Sequence, residues 1–239
     1  MRIAIVSDIH GNRTAFEAVL ADLRETSPDL IFHGGDLADA GASPADILDR
    51  VRDLGWPGVL GNTDEMLTKP DSLTHFGQQS PQLEALFTVI AEMAAATREA
   101  IGEERVTWLR ALPERQIYAP MALVHASPES PWRAPVPESS DTELESVYRS
   151  LGQPIAVYAH IHHPYIRNLG PMTVANTGSV SLSYDGDRRA AYLLLDGSKP
   201  EIRRVEYDID KEVKALEACR LPLAAWVANI LTRGSFQMP

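Results

Sequence analysis

Residues 2–36 read RIAIVSDIHGNRTAFEAVLADLRETSPDLIFHGGD, and this stretch decides the fold. RIAIVS (2–7) is a buried-strand run. Asn12 then offers an N-cap, and Ala15, Phe16, Val19, Leu20 and Leu23 recur on one helical face. DLIFHGGD (29–36) is a second strand running into a glycine turn. The order repeats in SPADILDRVRDL (43–54), a helix with Ser43 as N-cap and Pro44 at its first position. PGVLGNTD (57–64) reads as a third strand and turn. A β-α-β-α-β order implies a sheet with helices on its faces, its strands parallel at first.

Beyond this point the pattern changes. PQLEALFTVIAEMAAATREA (81–100) and EERVTWLRAL (103–112) read as helices, so a helical insertion is expected over about 80–112. MALVHAS (121–127) is a strand, followed by a Pro- and Ser-rich loop, SPESPWRAPVPESSD (127–141). Short strands then dominate: PIAVYAH, YIRNL, MTVAN, RAAYLLLD and EIRRVEY, which suggests a second sheet packed on the first. A helical segment is expected over about 209–232; its stretch LPLAAWVANIL (221–231) is too short to span a bilayer. It suits a helix packed on the body or on a second subunit, which leaves a homo-oligomer open. With no internal repeat, low-complexity block or linker in view, residues 1–239 are read as one domain.

Composition narrows the function. The net charge of −11 argues against generic nucleic-acid binding, which needs an excess of Lys and Arg on some face. Cys219 is the only cysteine, which excludes an internal disulfide framework and suits a reducing cytoplasm. No secretory signal is visible at MRIAIVSD, so the expected setting is cytoplasmic, without a membrane span.

Chemistry gathers where the strands end. Asp8 and His10 follow the first apolar run, Asp36 the second, and Asn62 the third. His125 ends the fourth, and AVYAHIHHPYI (156–166) places His160, His162 and His163 at the end of the fifth. One Asp at a strand end is ordinarily a turn former, and GD or GN is a common turn signal. The ordered set D-x-H, GD, GN, H, H-x-H is not what independent turns supply. In layered α/β folds such turns converge beyond the carboxyl ends of the strands. Carboxylate, amide and imidazole together suit Mn, Fe, Zn or Co. In the strand through Ala159, Ile161 and His163, pleat alternation sends His160 and His162 to one side and His163 to the other.

The motifs SDIHGN (7–12), GGD (34–36), GNTD (61–64), VHASP (124–128) and AHIH (159–162) resemble the calcineurin-like metallophosphoesterase superfamily, in particular its small bacterial phosphoesterases. GDLADAGASPADIL (35–48) and NTGSVSLSYDGDRRAAYLLLD (176–196) are similar to the framework of that group. The resemblance implies an α/β fold, a four-layer αββα sandwich of two mixed β-sheets flanked by helices. It implies two divalent metal ions, with Asp8, His10 and His162 binding one, Asn62, His125 and His160 the other, and Asp36 bridging them. It implies hydrolysis of a phosphate monoester or diester by hydroxide that the metals activate, with Asp36 and Asn62 in catalytic positions. Asn12 and Arg133 are candidate substrate contacts, and His163 is expected outside the ligand set.

Three positions depart from family patterns. Ala159 stands where many members have glycine. Ala40 stands where the serine/threonine protein phosphatases carry an arginine. Thr63 replaces the histidine that serves many members as general acid; Asp64, His33 or a metal-bound water are the substitutes to consider. His33 is either a ligand-orienting residue or a satisfied buried one, and His75 and Cys219 read as structural. Two alternatives stay open: a nucleotide or dinucleoside-polyphosphate phosphatase, and a non-catalytic scaffold of the same fold that binds a protein partner.

Overall fold

The structure is a computed structural model that describes residues 1–78, 81–219 and 221–239. β1 (Arg2–Val6) is followed by α1 (Arg13–Thr26), β2 (Leu30–His33), α2 (Pro44–Leu54), α3 (Asn62–Thr68) and α4 (Asp71–Gly77). The long α5 (Glu84–Arg110) precedes β3 (Arg115–Tyr118), β4 (Met121–Val124) and α6 (Asp141–Tyr148). Then come β5 (Ile155–Tyr158), β6 (Tyr165–Asn168), β7 (Thr173–Asn176), β8 (Ala190–Asp196) and β9 (Lys199–Val205), and finally α7 (Ile209–Ala218) and α8 (Ala224–Arg233). No helix of the described residues is long and apolar enough to cross a membrane.

Local chemistry sets the helix ends. The Asn12 side chain accepts the Ala15 N–H at 2.9 Å, capping α1 as its sequence position predicts. Pro44 opens α2, and Gly55, in the left-handed region, closes it. Ser140 and Asp208 cap α6 and α7. The two helices read between 81 and 112 join as α5 through a kink at Gly102, whose φ of 72° and ψ of 166° are non-helical. Ser80, where the expected insertion begins, lies outside the described residues, as does Arg220 within the expected C-terminal segment.

Two mixed sheets form the centre. One runs β2-β1-β8-β9 and the other β3-β4-β5-β7-β6. β1 and β2 are parallel with Val6 opposite His33, whereas β8 joins β1 antiparallel. In the second sheet β4, β5 and β7 are parallel, and β3 and β6 flank them antiparallel. Ile3, Ile5 and Phe32 of the first sheet meet Leu123, Ile155 and Val157 of the second in a shared buried cluster. Ala4 and Val6 face the opposite way, into α1, α2 and α5. On the far side of the second sheet, Leu144 and Tyr148 of α6 cover Ala122, Ala156 and Val174. The result is the expected αββα layering, held together by residue alternation along β1 and β4.

The structure departs from the sequence reading in three places. PGVLG makes no third strand: Gly58 forms a single parallel bridge to His33, and Pro57 offers only its carbonyl, to the His33 N–H at 3.0 Å. The Leu60 N–H turns away to Pro113 O, and α3 begins two residues later. The late strands do not all belong to the second sheet, because β8 and β9 return to extend the first. Four elements had no sequence signal that was read as such: α3, α4, α6 and β3. α8 packs on the body of its own chain, one of the two placements expected for 221–231, with Val227, Ile230 and Leu231 buried against Leu216, Leu182 and Met93.

Candidate metal centre

The site is built from loops held in a costly conformation. Among the described residues, eight non-glycine positions have positive φ, and five of them are Asp8, Asp36, His10, His160 and His162. A left-handed L-residue costs roughly 1–2 kcal/mol, so these loops persist only because their surroundings over-determine them. The N–H groups of Asp8, His10 and Gly11 donate to the carbonyls of Gly35, Asp36 and Leu37 at 3.0, 3.0 and 2.9 Å. The loops after β1 and β2 are thereby zipped side by side. Asp64 pins the second loop: its carboxylate accepts the N–H of Asp36 (2.8 Å), Leu37 (3.0 Å) and Gly61 (3.1 Å). Glycine is required at 61, where a Cβ would lie 2.1 Å from Asp36 Oδ1.

His160 and His162 reach the centre by a route the pleat argument did not foresee. β5 ends at Tyr158, so neither histidine lies in a strand. Both adopt left-handed backbone, with φ of 67° and 54°, and the loop between them turns back through an Ile161 N–H to Ala159 O bond of 2.7 Å. The segment after β7 completes the wall. Ser179 Oγ donates to Asp8 O at 2.9 Å, and Leu182 O accepts from His162 Nδ1 at 2.6 Å. Tyr184 stacks on the His162 ring with centroids 4.5 Å apart. Sequence reading noted this stretch only as family framework; its bonds depend on three chain segments meeting, which spacing cannot show.

Three imidazoles are fixed by backbone carbonyls. Nδ1 of His10 faces Asp39 O at 2.9 Å, Nδ1 of His125 faces Gly34 O at 2.7 Å, and Nδ1 of His162 faces Leu182 O at 2.6 Å. A carbonyl only accepts, so Nδ1 carries a proton in all three; Nε2 of His10 and of His162 then turns a lone pair inward, whereas Nε2 of His125 faces a second acceptor, Asn62 Oδ1. Those lone pairs meet other lone pairs. His10 Nε2 and His162 Nε2 are 3.2 Å apart, and His162 Nε2 is 3.2 Å from Asp8 Oδ1, a buried atom that accepts no hydrogen bond. Asp36 Oδ2 lies 3.8 Å from His10 Nε2 and 3.5 Å from His125 Nε2. Asn62 Oδ1 faces His125 Nε2 at 2.9 Å and His160 Nδ1 at 2.8 Å.

Such an arrangement could hold a metal ion. Asp8, His10, Asp36 and His162 present ligand atoms all within 4.8 Å of one another, and all four residues are buried. Asn62, His125 and His160 adjoin them through Asp36. Burial opposes charge on His125, but Asp36 beside it outweighs this and pushes its pKa up to about 9. Burial likewise opposes charge on Asp36, yet the His125 and His10 rings hold the carboxyl below its ordinary range. Burial keeps His160 neutral, down at about 4. The donor set of carboxylate, amide and imidazole fits divalent ions of the borderline class.

The other sequence candidates fall elsewhere. Asn12 is buried, its Nδ2 donating to Ser181 Oγ at 3.1 Å. Arg133 is exposed in the loop after His125, its guanidinium 5.7 Å from the Phe76 ring centre. His163 is half-buried and outside the Asp8–His10–Asp36–His162 group. Both ring nitrogens of His33 are buried without partners, and desolvation pushes its pKa down to about 4. His33 therefore orients no ligand residue by hydrogen bond. His75 on α4 is exposed and bonds Asp71 O, and Cys219 closes α7 with a thiol contact to Leu216 O. The Thr63 N–H donates to Asp36 Oδ1 at 2.9 Å, while its buried hydroxyl has no partner. Ala40 and Ala159 are buried beside these loops.

Comparison with known proteins agrees with this geometry. An uncharacterized protein of Methanocaldococcus jannaschii is 31% identical over 255 aligned residues, covering 97% of this chain and 98% of that protein. The crystal structure of a metallophosphoesterase from Sphaerobacter thermophilus superposes with a TM-score of 0.79 at 24% identity, covering 98% of this chain and all (100%) of that one. A hypothetical protein from Pyrococcus horikoshii gives a TM-score of 0.85 at 18% identity, with 99% of both chains covered. Residues 1–199 match the family described as the calcineurin-like phosphoesterase superfamily domain, and with the two sheets and the converging loops this places the chain in that superfamily.

Proposed function

We propose that the chain hydrolyses a phosphate monoester or diester with two bound divalent ions, Mn, Fe, Zn or Co. Asp8, His10 and His162 would hold one ion and Asn62, His125 and His160 the other, with Asp36 shared between them. The observation that carries this reading is Nε2 of His10 and His162 turned toward each other and, for His162, toward Asp8 Oδ1, a buried oxygen that accepts no hydrogen bond. When bound, such ions lower the pKa of water and offset charge on phosphate oxygens.

The chain's own groups divide the remaining tasks. Asp8 and Asp36 supply the anionic charge that retains cations, and the backbone carbonyls fix the imidazoles. Asn62, Thr63 and His160 are partly exposed, whereas Asp8, Asp36 and His162 are buried, so substrate enters from the Asn62 side. No side chain there suits the role of general acid. Asp64 is pushed up to about 7, first by burial and then by Asp36, but its oxygens already accept backbone N–H groups. The Thr63 hydroxyl is far too weak an acid. All 239 residues would form one cytoplasmic domain acting on a small phosphate ester. With a net charge of −11, long duplex nucleic acid should bind weakly at physiological salt.

The test is metal analysis of protein purified without chelator, followed by a screen of phosphomonoesters and diesters with Mn. We expect roughly two metal equivalents and turnover of small esters. His162→Ala should lower metal content, and His163→Ala should not. Protein that binds no metal and turns over no ester would leave the scaffold reading in place. Preference for nucleoside polyphosphates would favour the nucleotide phosphatase.

A further inference from the structure

α3 leads from the metal centre into a second cavity. Asn62 is its first residue, Glu65 lies one turn on, and Lys69 closes it. At 1.5 Å per residue, Lys69 sits about 10 Å along the axis from Asn62. The loop after His125 runs alongside and brings Ser130, Trp132 and Arg133 to the same place. Together with Phe76 of α4 these residues line a cavity of about 570 Å³. Two of its walls thus continue segments that carry candidate ligands, and α4 supplies the third through Asp71, Ser72, His75 and Phe76.

The cavity is organised around aromatic faces. Trp132 and Phe76 stack with centroids 4.9 Å apart and planes 28° from parallel. The Arg133 guanidinium lies 5.7 Å from the Phe76 ring centre. The indole Nε1 donates to Glu65 Oε2 at 2.6 Å, and Lys69 Nζ pairs with Glu65 Oε1 at 3.2 Å. Trp132 is therefore held in orientation by its polar edge while its ring stays partly exposed. Lys69 offsets the charge of Glu65, and Asp71 and Arg133 line the same cavity. Aromatic rings fixed in orientation are the chemistry that takes another planar ring by stacking.

We propose that this cavity is the leaving-group subsite, and that it takes the planar aromatic portion of a phosphate ester, an aryl group or a nucleobase. The proposal rests on the phosphoesterase reading for its catalytic meaning, and its geometry accounts for how the site would favour one ester over another. Phosphate would sit at the Asn62 end and the ring against Trp132.

The experiment compares the wild-type protein, Trp132→Leu and Trp132→Phe. KM is measured for methyl phosphate, phenyl phosphate and a nucleoside monophosphate, and direct binding of the unphosphorylated nucleoside is followed by calorimetry. Losing a stacking face should raise KM for the ring-bearing substrates by about tenfold or more relative to methyl phosphate. Trp132→Phe should restore most of that ratio. A penalty on the nucleotide alone identifies the base as the occupant, and a penalty on both identifies any planar ring. Equal changes for all three esters, or none, would overturn the subsite. If the wild type turns over no ester but binds the nucleoside in a Trp132-dependent way, the phosphoesterase reading fails and the subsite stands. Absence of that binding alongside unselective turnover would overturn the subsite alone.

Discussion

The space between the two sheets and the rim where their strands end are built by opposite rules. Between the sheets, Ile3, Ile5, Leu123 and Val157 are buried on regular strands, and burying such side chains contributes about 1.5–3 kcal/mol each. At the rim, Asp8, His10, Asp36, His160 and His162 adopt a conformation that costs energy and brings like lone pairs together. The core is stable without help. The rim is stabilised by the core and by Asp64, and a cation bound there would relieve it. Stability and chemistry are therefore separable here, and substitutions can show it.

The largest expected effect comes from the rim. Asp36→Asn removes a charge that faces both halves of the centre, so activity should fall on the order of 10³-fold and metal content should drop. Thermal stability of the metal-free protein should fall only modestly: His125 loses the carboxylate that raises its pKa, but can shed its proton once that charge is gone. A large loss of metal-free stability would break the contrast, by showing that Asp36 belongs to the framework.

Next comes the leaving group. A general acid typically contributes about 10²–10⁴-fold, and Thr63 cannot act as one. Aryl esters should therefore be cleaved much faster than alkyl esters, and Thr63→His should narrow that gap by raising the alkyl rates. The check is a plot of log kcat/KM against leaving-group pKa. A flat line for the wild type would mean that an efficient acid already operates.

The core supplies the converse. Ile5→Ala should cost about 2–5 kcal/mol of stability, read from denaturant midpoints. Metal content per folded molecule should not change. Loss of metal from the folded fraction would show that core packing and rim geometry are coupled after all.

The smallest effect sharpens the boundary between the two regions. His33 ends β2 only three residues before Asp36, yet burial lowers its pKa to about 4. Its ordinary value is about 6.5, so between those values the unfolded chain binds a proton that the folded chain refuses. Its penalty is absent above about pH 6.5 and grows as pH falls toward 4, by roughly 3 kcal/mol at most. His33→Leu should flatten that part of the stability profile. An unchanged slope would show that His33 is already protonated or hydrated in the fold.

Much of this molecule was legible in the residues because the signals were local. The 3.6-residue spacing from Ala15 to Leu23, the cap at Asn12 and the apolar run of β1 each depend on neighbours in sequence. The ordered donors at strand ends were equally visible, since their types and order are covalent facts. What spacing could not supply is how separate segments meet. PGVLG looked like a strand, but Pro57 has no N–H and Leu60 bonds to Pro113. AHIH looked like a pleat, but its histidines face the centre through left-handed backbone that only long-range bonds can hold. Asp64 looked like a stand-in acid and became the clamp between two loops. The sequence by itself determined the layers and the donors, because periodicity and residue type act within a few positions. Tertiary structure alone decided which lone pairs face each other and which strands return to the first sheet, because those depend on groups far apart in the chain.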